Sequence, residues 1–143
     1  PWLALYQLQA HDALGRPRHV RLGTGTPIER RHLIDPGTLR LTGIRTGTGS
    51  GAERQHLDYR WDRVGNLVER ADRNAGLVED FSFDAADRLT GARLNGTPTL
   101  AVGWDAGGRL RTRSDVGTYQ YAPARPSAVA AVGGGPRGTL SYT

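Results

Sequence analysis

The chain has 143 residues, the size of one ordinary domain, yet Leu, Ile, Val and Phe make up only about a fifth of it, near the level at which a packed core becomes doubtful. All 19 basic residues are arginine, spread from Arg16 to Arg137 with acids between them, and the net charge of +5 reads as one basic segment, not a dedicated polyanion surface. The absence of cysteine excludes disulfides and thiolate zinc sites, and no apolar run approaches the roughly 20 residues of a membrane-crossing helix.

Frequent glycine and proline suit short strands joined by turns. The opening Pro1-Trp2-Leu3-Ala4-Leu5 has no basic region ahead of it and is no signal peptide, and a first residue other than Met makes further chain upstream the expectation. The first turn signal is His11-Asp12, followed by Ala13-Leu14-Gly15-Arg16-Pro17. Ile34-Asp35 opens a second, with one extra residue before Leu41, and the Gly-rich stretch 46–51 reads as a flexible connection. The pattern is fullest at Tyr59-Arg60-Trp61-Asp62-Arg63-Val64-Gly65-Asn66-Leu67. It recurs at Phe81-Ser82-Phe83-Asp84, where Asp87 takes the glycine position ahead of Arg88-Leu89. After a connection at 94–98 come Val102-Gly103-Trp104-Asp105 and Gly107-Gly108-Arg109-Leu110. Tyr119-Gln120-Tyr121-Ala122 continues the series with Ala in place of Asp, Gly133-Gly134-Gly135-Pro136 reads as another flexible connection, and Ser141-Tyr142-Thr143 looks like the opening of one more unit.

The anchors at 12, 35, 62, 84, 105 and 122 lie about 17–27 residues apart, and the shared unit is aromatic-x-aromatic-Asp-x-x-Gly-(Arg/Asn)-Leu. Approximate units are 1–27, 28–54, 55–76, 77–97, 98–115 and 116–137, with a partial unit at 138–143. Each reads as a hairpin. Leu57, Tyr59 and Trp61 alternate with Asp58 and Arg60, the period of a strand with one buried face. The aspartate bonds its own backbone as an Asx-turn, and Gly15, Gly65 or Gly108 supplies the positive φ of a short loop. A lone hairpin is not stable in water, but stacked hairpins share one stripe. The expectation is an all-β fold of tandem hairpins in a curved sheet, with aromatic and aliphatic residues on one face and Arg, Asp and Glu on the other. Trp61 and Trp104 are expected as buried rings whose loss costs roughly 3–5 kcal/mol. Open edges would favour more repeats on both sides.

No catalytic constellation emerges. Asp12, Asp35, Asp62, Asp84 and Asp105 recur at one structural position, which argues for a turn role, since a catalytic residue is normally unique. Glu79 and Asp80 are strand neighbours that point to opposite faces. His11, His19, His32 and His56 lack metal-ligand spacing, and His11 takes a core-aromatic position. The 46–51 stretch lacks the Gly-Lys-Ser/Thr ending of a phosphate loop. No metal, cofactor or enzymatic activity is expected.

The repeated units, above all Tyr59 to Leu67, resemble the Rhs/YD-repeat proteins, and the resemblance covers nearly the whole chain. That family includes bacterial Rhs polymorphic toxins, subunits of insecticidal toxin complexes, wall-associated repeat proteins and animal teneurins. The run from Ser114 to Tyr121 is similar to a stretch often found shortly before the family's core segment. The resemblance implies a segment of a large β-cocoon that encloses a C-terminal toxin, in a secreted, injected or cell-surface protein. Its implied partners are the remainder of the shell chain, the enclosed toxin and components of a secretion apparatus. No match to the self-cleaving core with its catalytic aspartates is present. Two other readings are a module that binds cell-surface glycan or another polyanion through exposed arginines and aromatics, and a nuclease suggested by charge alone.

Overall fold

The computed structural model describes residues 5–49, 51–136 and 138–142. Pro1 to Ala4 and Thr143, named in the reading of the two ends, lie outside the described residues. Every regular element among the described residues is a β-strand, and the strands follow one another in the sheet in sequence order. Two compact units are formed, Pro1–Glu79 and Asp80–Thr143.

The first unit contains β1 (Tyr6–His11), β2 (Pro17–Leu22), β3 (Ile28–Ile34), β4 (Leu41–Thr48), β5 (Gln55–Trp61) and β6 (Leu67–Asp72). Each is antiparallel to the next. The strand β7 (Leu77–Phe83) spans the division between the units. The second unit continues with β8 (Leu89–Leu94), β9 (Thr97–Trp104), β10 (Leu110–Arg113), β11 (Gly117–Ala122), β12 (Arg125–Gly135) and β13 (Gly138–Ser141), again antiparallel in sequence order.

Chemistry at the turns explains this succession. The tips after β1, β5, β7 and β9 bear the Asp-x-x-Gly or Asp-x-x-Asp signal, and the tip after β3 a variant one residue longer. The links at the other end of the strands differ. Between β8 and β9 the link is Asn95-Gly96, both residues left-handed (φ 48° and 80°), the conformation whose twist matches a two-residue hairpin. Thr46 to Gly49 and Gly51 have defined partners. Thr46, Gly47 and Thr48 belong to β4, Glu53 accepts from the backbone N–H and hydroxyl of Thr48, Gly51 N–H donates to the Thr48 carbonyl, and Arg31 donates to the Gly49 carbonyl. The Gly133–Gly135 run is likewise strand, paired to Gly117 and Thr118. Strand pairing takes up Thr46 to Thr48 and Gly133 and Gly134, where glycine content alone suggested loose connections.

Among the described residues, elements touch only their neighbours in sequence, so within each unit the sheet is a single layer. The chain exposes 9494 Å², about a third more than the ~7200 Å² of a typical folded monomer of 15.5 kDa. Among the described residues the buried apolar side chains are Val20, Ala71 and Val132. The expected separation of an apolar face from a charged one is incomplete. Directly opposite residues share a face, and Arg70 lies opposite Tyr59, Asp72 opposite Leu57 and Arg30 opposite Val20. The other face is charged as expected, with Arg45 and Arg73 both on Asp58, and Arg60 on Glu69. Ala71, opposite Asp58, is nonetheless fully buried there. His11 is exposed at the end of β1, not packed in a core, as are the other residues of that strand.

Close approach of the backbone is tightest where β11 starts. A Cβ on Gly135 would strike the Val116 carbonyl, and one on Gly117 the Gly133 carbonyl. Gly135→Ala is therefore expected to destabilise the fold by about 1–3 kcal/mol, the range of overpacked sites. Urea unfolding measures it, and an unchanged midpoint would mean that the chain segments do not pass this closely.

Candidate functional site

The feature the fold builds repeatedly is the hairpin tip. After the strand, the aspartate N–H bonds the carbonyl four residues on: Asp12 to Arg16, Asp62 to Asn66, Asp84 to Arg88 and Asp105 to Arg109, at 2.9–3.0 Å. Inside that ring Gly15, Asp87 and Gly108 each donate back to the carbonyl of the tip aspartate at 3.0 Å. This is a type I turn closed by a left-handed residue, a three-residue loop with a bulge. Asp87 fills the left-handed position at φ 58°, a region aspartate visits more readily than most residues. At Gly65 the requirement is double: φ is 113°, and a Cβ would lie 2.8 Å from the Arg40 guanidinium.

The side chain completes the tip. One oxygen of Asp84 accepts the N–H groups of Ala86 (2.9 Å) and Arg88 (3.0 Å), and the other accepts Nε of Arg88 (2.8 Å). Asp12 with Arg16 and Asp105 with Arg109 repeat the arrangement, with Nε distances of 2.6 and 2.7 Å. Asp62 does the same with Gly65, Asn66 and the Asn66 carboxamide. In the longer tip Asp35 is taken up by Gly37 and Thr38, and Leu39 is forced to φ 57°.

The arginine that ends one tip reaches the next. In the first unit Arg16 donates to the Leu39 carbonyl (2.9 Å) and Arg40 to the Asp62 carbonyl (2.7 Å). In the second, Arg109 donates to the Pro126 carbonyl (2.8 Å), and Arg88 makes a long 3.5 Å contact to the Asp105 carbonyl. A return stitch comes from the aromatic that follows. Trp61 Nε1 donates to the Leu41 carbonyl (2.7 Å), Trp104 Nε1 to Leu89 (2.8 Å) and the Tyr121 hydroxyl to Leu110 (2.7 Å). The same arginines lie over these rings, Arg88 at 5.5 Å from the Trp104 centroid and Arg109 at 4.7 Å from that of Tyr121. Trp61, Trp104, Tyr59, Phe81, Phe83, Tyr119 and Tyr121 are all half-buried. Trp61 and Trp104, expected as core rings, are half-buried, and among the described residues no second layer lies over them. Reading the unit assigned a role to the aspartate, the glycine and the rings but none to the residue after the glycine. Its signal was there, since Arg16, Arg40, Arg88 and Arg109 recur at that place.

These contacts hold the tip carboxyls below the usual carboxylate range. For Asp84 the main cause is the Arg88 guanidinium, then the Arg88 N–H. For Asp105 it is the Arg109 N–H, then its guanidinium, and for Asp35 the Thr38 N–H, then its hydroxyl. At Asp12 and Asp62 desolvation is the largest single influence and acts upward, but the combined hydrogen bonds of Arg16 and Leu14, or of Asn66 and Gly65, outweigh it. Burial, then Arg30, holds His32 below the usual histidine value.

Two hollows repeat at equivalent places. One, about 390 Å³, is lined by Asp35, Arg40, Thr42, Tyr59, Trp61 and Asp62 among others. The second, about 450 Å³, is lined by Asp105, Arg109, Arg111, Tyr119, Tyr121 and Ala122, with Pro123 and Pro126. Among the described residues no group of three or more His, Asp or Glu has the arrangement of a metal site, and no helix is long and apolar enough to cross a membrane.

No family model and no curated protein matches the sequence. Among solved structures, the chain is similar to one in the Photorhabdus luminescens Tc holotoxin pore, with a TM-score of 0.62 and 17% identity over 90% of its length. It spans 7% of that chain. The likeness is one of fold: an all-β array of antiparallel strands.

Two outcomes follow from the tip. Trp104→Phe keeps a ring but leaves the Leu89 carbonyl without its donor, and is expected to cost about 1 kcal/mol; Trp104→Ser also loses the half-buried ring and should cost about 2 kcal/mol, both read from denaturant midpoints. The second outcome concerns pH. Because the tip aspartates titrate lower folded than unfolded, their contribution is complete above the ordinary aspartate value and is lost as pH falls through the lowered values. His32 adds a shallower decline that begins as pH drops through the ordinary histidine value, where the unfolded chain takes up a proton the folded chain refuses. Melting temperatures from neutral to strongly acidic pH should therefore fall in two steps, and a rise in acid would contradict the tip chemistry.

Proposed function

We propose that the chain is a wall segment of an Rhs/YD-repeat shell, a structural part of a toxin-complex type of protein that encloses a C-terminal toxin, and that it acts by containment without catalysis. The observation that carries this reading is the likeness along 90% of the chain to a small stretch of a much longer chain in a toxin-complex pore. The repeated tip supports it: each hairpin supplies one half of a stitch and receives the other half from its neighbour. Such an array is built to be extended. The thinness of the sheet supports it too, because a single layer with few buried side chains suits a wall better than a compact binding domain. On this reading the partners are further shell repeats, the enclosed toxin and the apparatus that delivers it, and the site of action is outside the producing cell.

The test uses the complete protein encoded around these residues. Limited proteolysis should leave its C-terminal segment uncut while the repeats are folded, and cut it once acid has opened the hairpin tips. A C-terminal segment cleaved equally fast in both states would exclude containment.

A further inference from the structure

Three successive tips of the first unit hold a large apolar side chain in water: Leu14 is 65% exposed, Leu39 47% and Val64 65%. The tips follow β1, β3 and β5, so all three stand at one end of the strands, about 10 Å apart, twice the spacing of neighbouring strands. Arg16 ties the first tip to the Leu39 carbonyl and Arg40 ties the second to the Asp62 carbonyl, which fixes the row. Leu39 is the telling member. It sits in the left-handed region at φ 57°, the place Gly15 takes in the first tip, and glycine would carry no such strain there. A strained backbone that holds a leucine in solvent gains the folded chain nothing by itself, and points to a use outside it. The two tips of the second unit that follow β7 and β9 carry small residues instead, Ala85-Ala86 and Ala106-Gly107.

Charge and size select the occupant. The carboxylates of Asp12, Asp35 and Asp62 are taken up by N–H groups of their own turns. Arg16 and Arg40 are spent on the neighbouring carbonyls, whereas Arg63, next to Val64, is exposed and has no hydrogen-bond or ion-pair partner among the described residues. The three apolar side chains together offer roughly a few hundred Å² at most, well short of the ~1,000 Å² of a stable protein interface. A lipid surface needs no such area. Each apolar group that enters the headgroup boundary contributes on its own, and a free guanidinium takes a lipid phosphate by a two-point fork. The net charge of +5 favours anionic lipid. We propose that this rim rests on an anionic phospholipid surface, with Leu14, Leu39 and Val64 entering the boundary and Arg63 pairing a headgroup phosphate. This is contact with one leaflet, not a span. The proposal does not depend on the shell reading.

Flotation of the full chain with vesicles of mixed phosphatidylglycerol and phosphatidylcholine tests this. Leu39→Gly relieves the left-handed strain, so its melting temperature should hold or rise, while its partition onto the vesicles falls about five-fold or more. Arg63→Ala should weaken partition too, and Leu14→Ser, Leu39→Gly and Val64→Ser together should abolish it. Leu140→Ser, at an exposed leucine of β13, should leave it unchanged. Because the chain has no cysteine, an environment-sensitive dye on Val64→Cys reports from the rim alone, and its emission should shift to the blue when vesicles are added. No flotation of the unaltered chain, or a triple variant that floats as well as it does, would overturn the proposal. Leu140→Ser weakening flotation as much as Leu39→Gly would overturn it as well and leave unspecific adhesion. A dimer that forms with rising concentration and is lost in the triple variant, without flotation, would assign the rim to a second copy of the chain instead.

Discussion

A sheet one layer thick must be held without a core, and here the holding falls to the carboxylate at the hairpin tip, paired with a guanidinium at Asp12, Asp84 and Asp105. The aspartate turns the chain by accepting the N–H groups that the loop leaves unpaired, and its second oxygen fixes an arginine in an extended pose. That pose carries the far end of the guanidinium to the next tip. Hydrogen bonds with one charged partner are stronger than neutral ones, but exposed ion pairs contribute little singly. Repetition makes the arrangement effective. Each tip closes its own turn and fixes its distance from the next, so register is set from the tips and not from a packed interior.

The aromatic residues belong to the same device. Trp61, Trp104 and Tyr121 each have a polar atom that returns a hydrogen bond to the preceding hairpin, and Trp104 and Tyr121 also offer a face on which an arginine rests. This accounts for Trp and Tyr at the position before the tip: Phe fills the same space without the donor, as Phe83 does. It also accounts for the mixed face. With no covering layer to desolvate them, Arg70 and Asp72 lie beside Tyr59 and Leu57 at little cost.

Much of this was legible in the residues. Period-two alternation at Leu57, Tyr59 and Trp61 and the recurring Asp-x-x-Gly gave strands and tips, because both signals are local and strong. Burial was misjudged. The alternation of apolar and polar residues shows which side of a strand a residue takes, not whether anything lies over that side, so Trp61 and Trp104 were expected in a core that a single layer does not have. The glycine-rich stretches were misjudged for another reason. At Gly47, Gly117 and Gly135 glycine serves close approach of the backbone, and only the partners, Glu53 in one case and a facing strand in the others, reveal it. The second role of the tip arginine was hidden because its acceptor is a main-chain carbonyl, which has no signature in sequence.

The order of the strands has a kinetic consequence. Every strand pairs with the ones made immediately before and after it, so no hairpin waits for a distant segment. Low separation between partners favours rapid folding, and synthesis delivers the chain in this same order. Such a chain is able to fold as it emerges from the ribosome, one hairpin at a time, each completed tip serving as the template on which the next is laid.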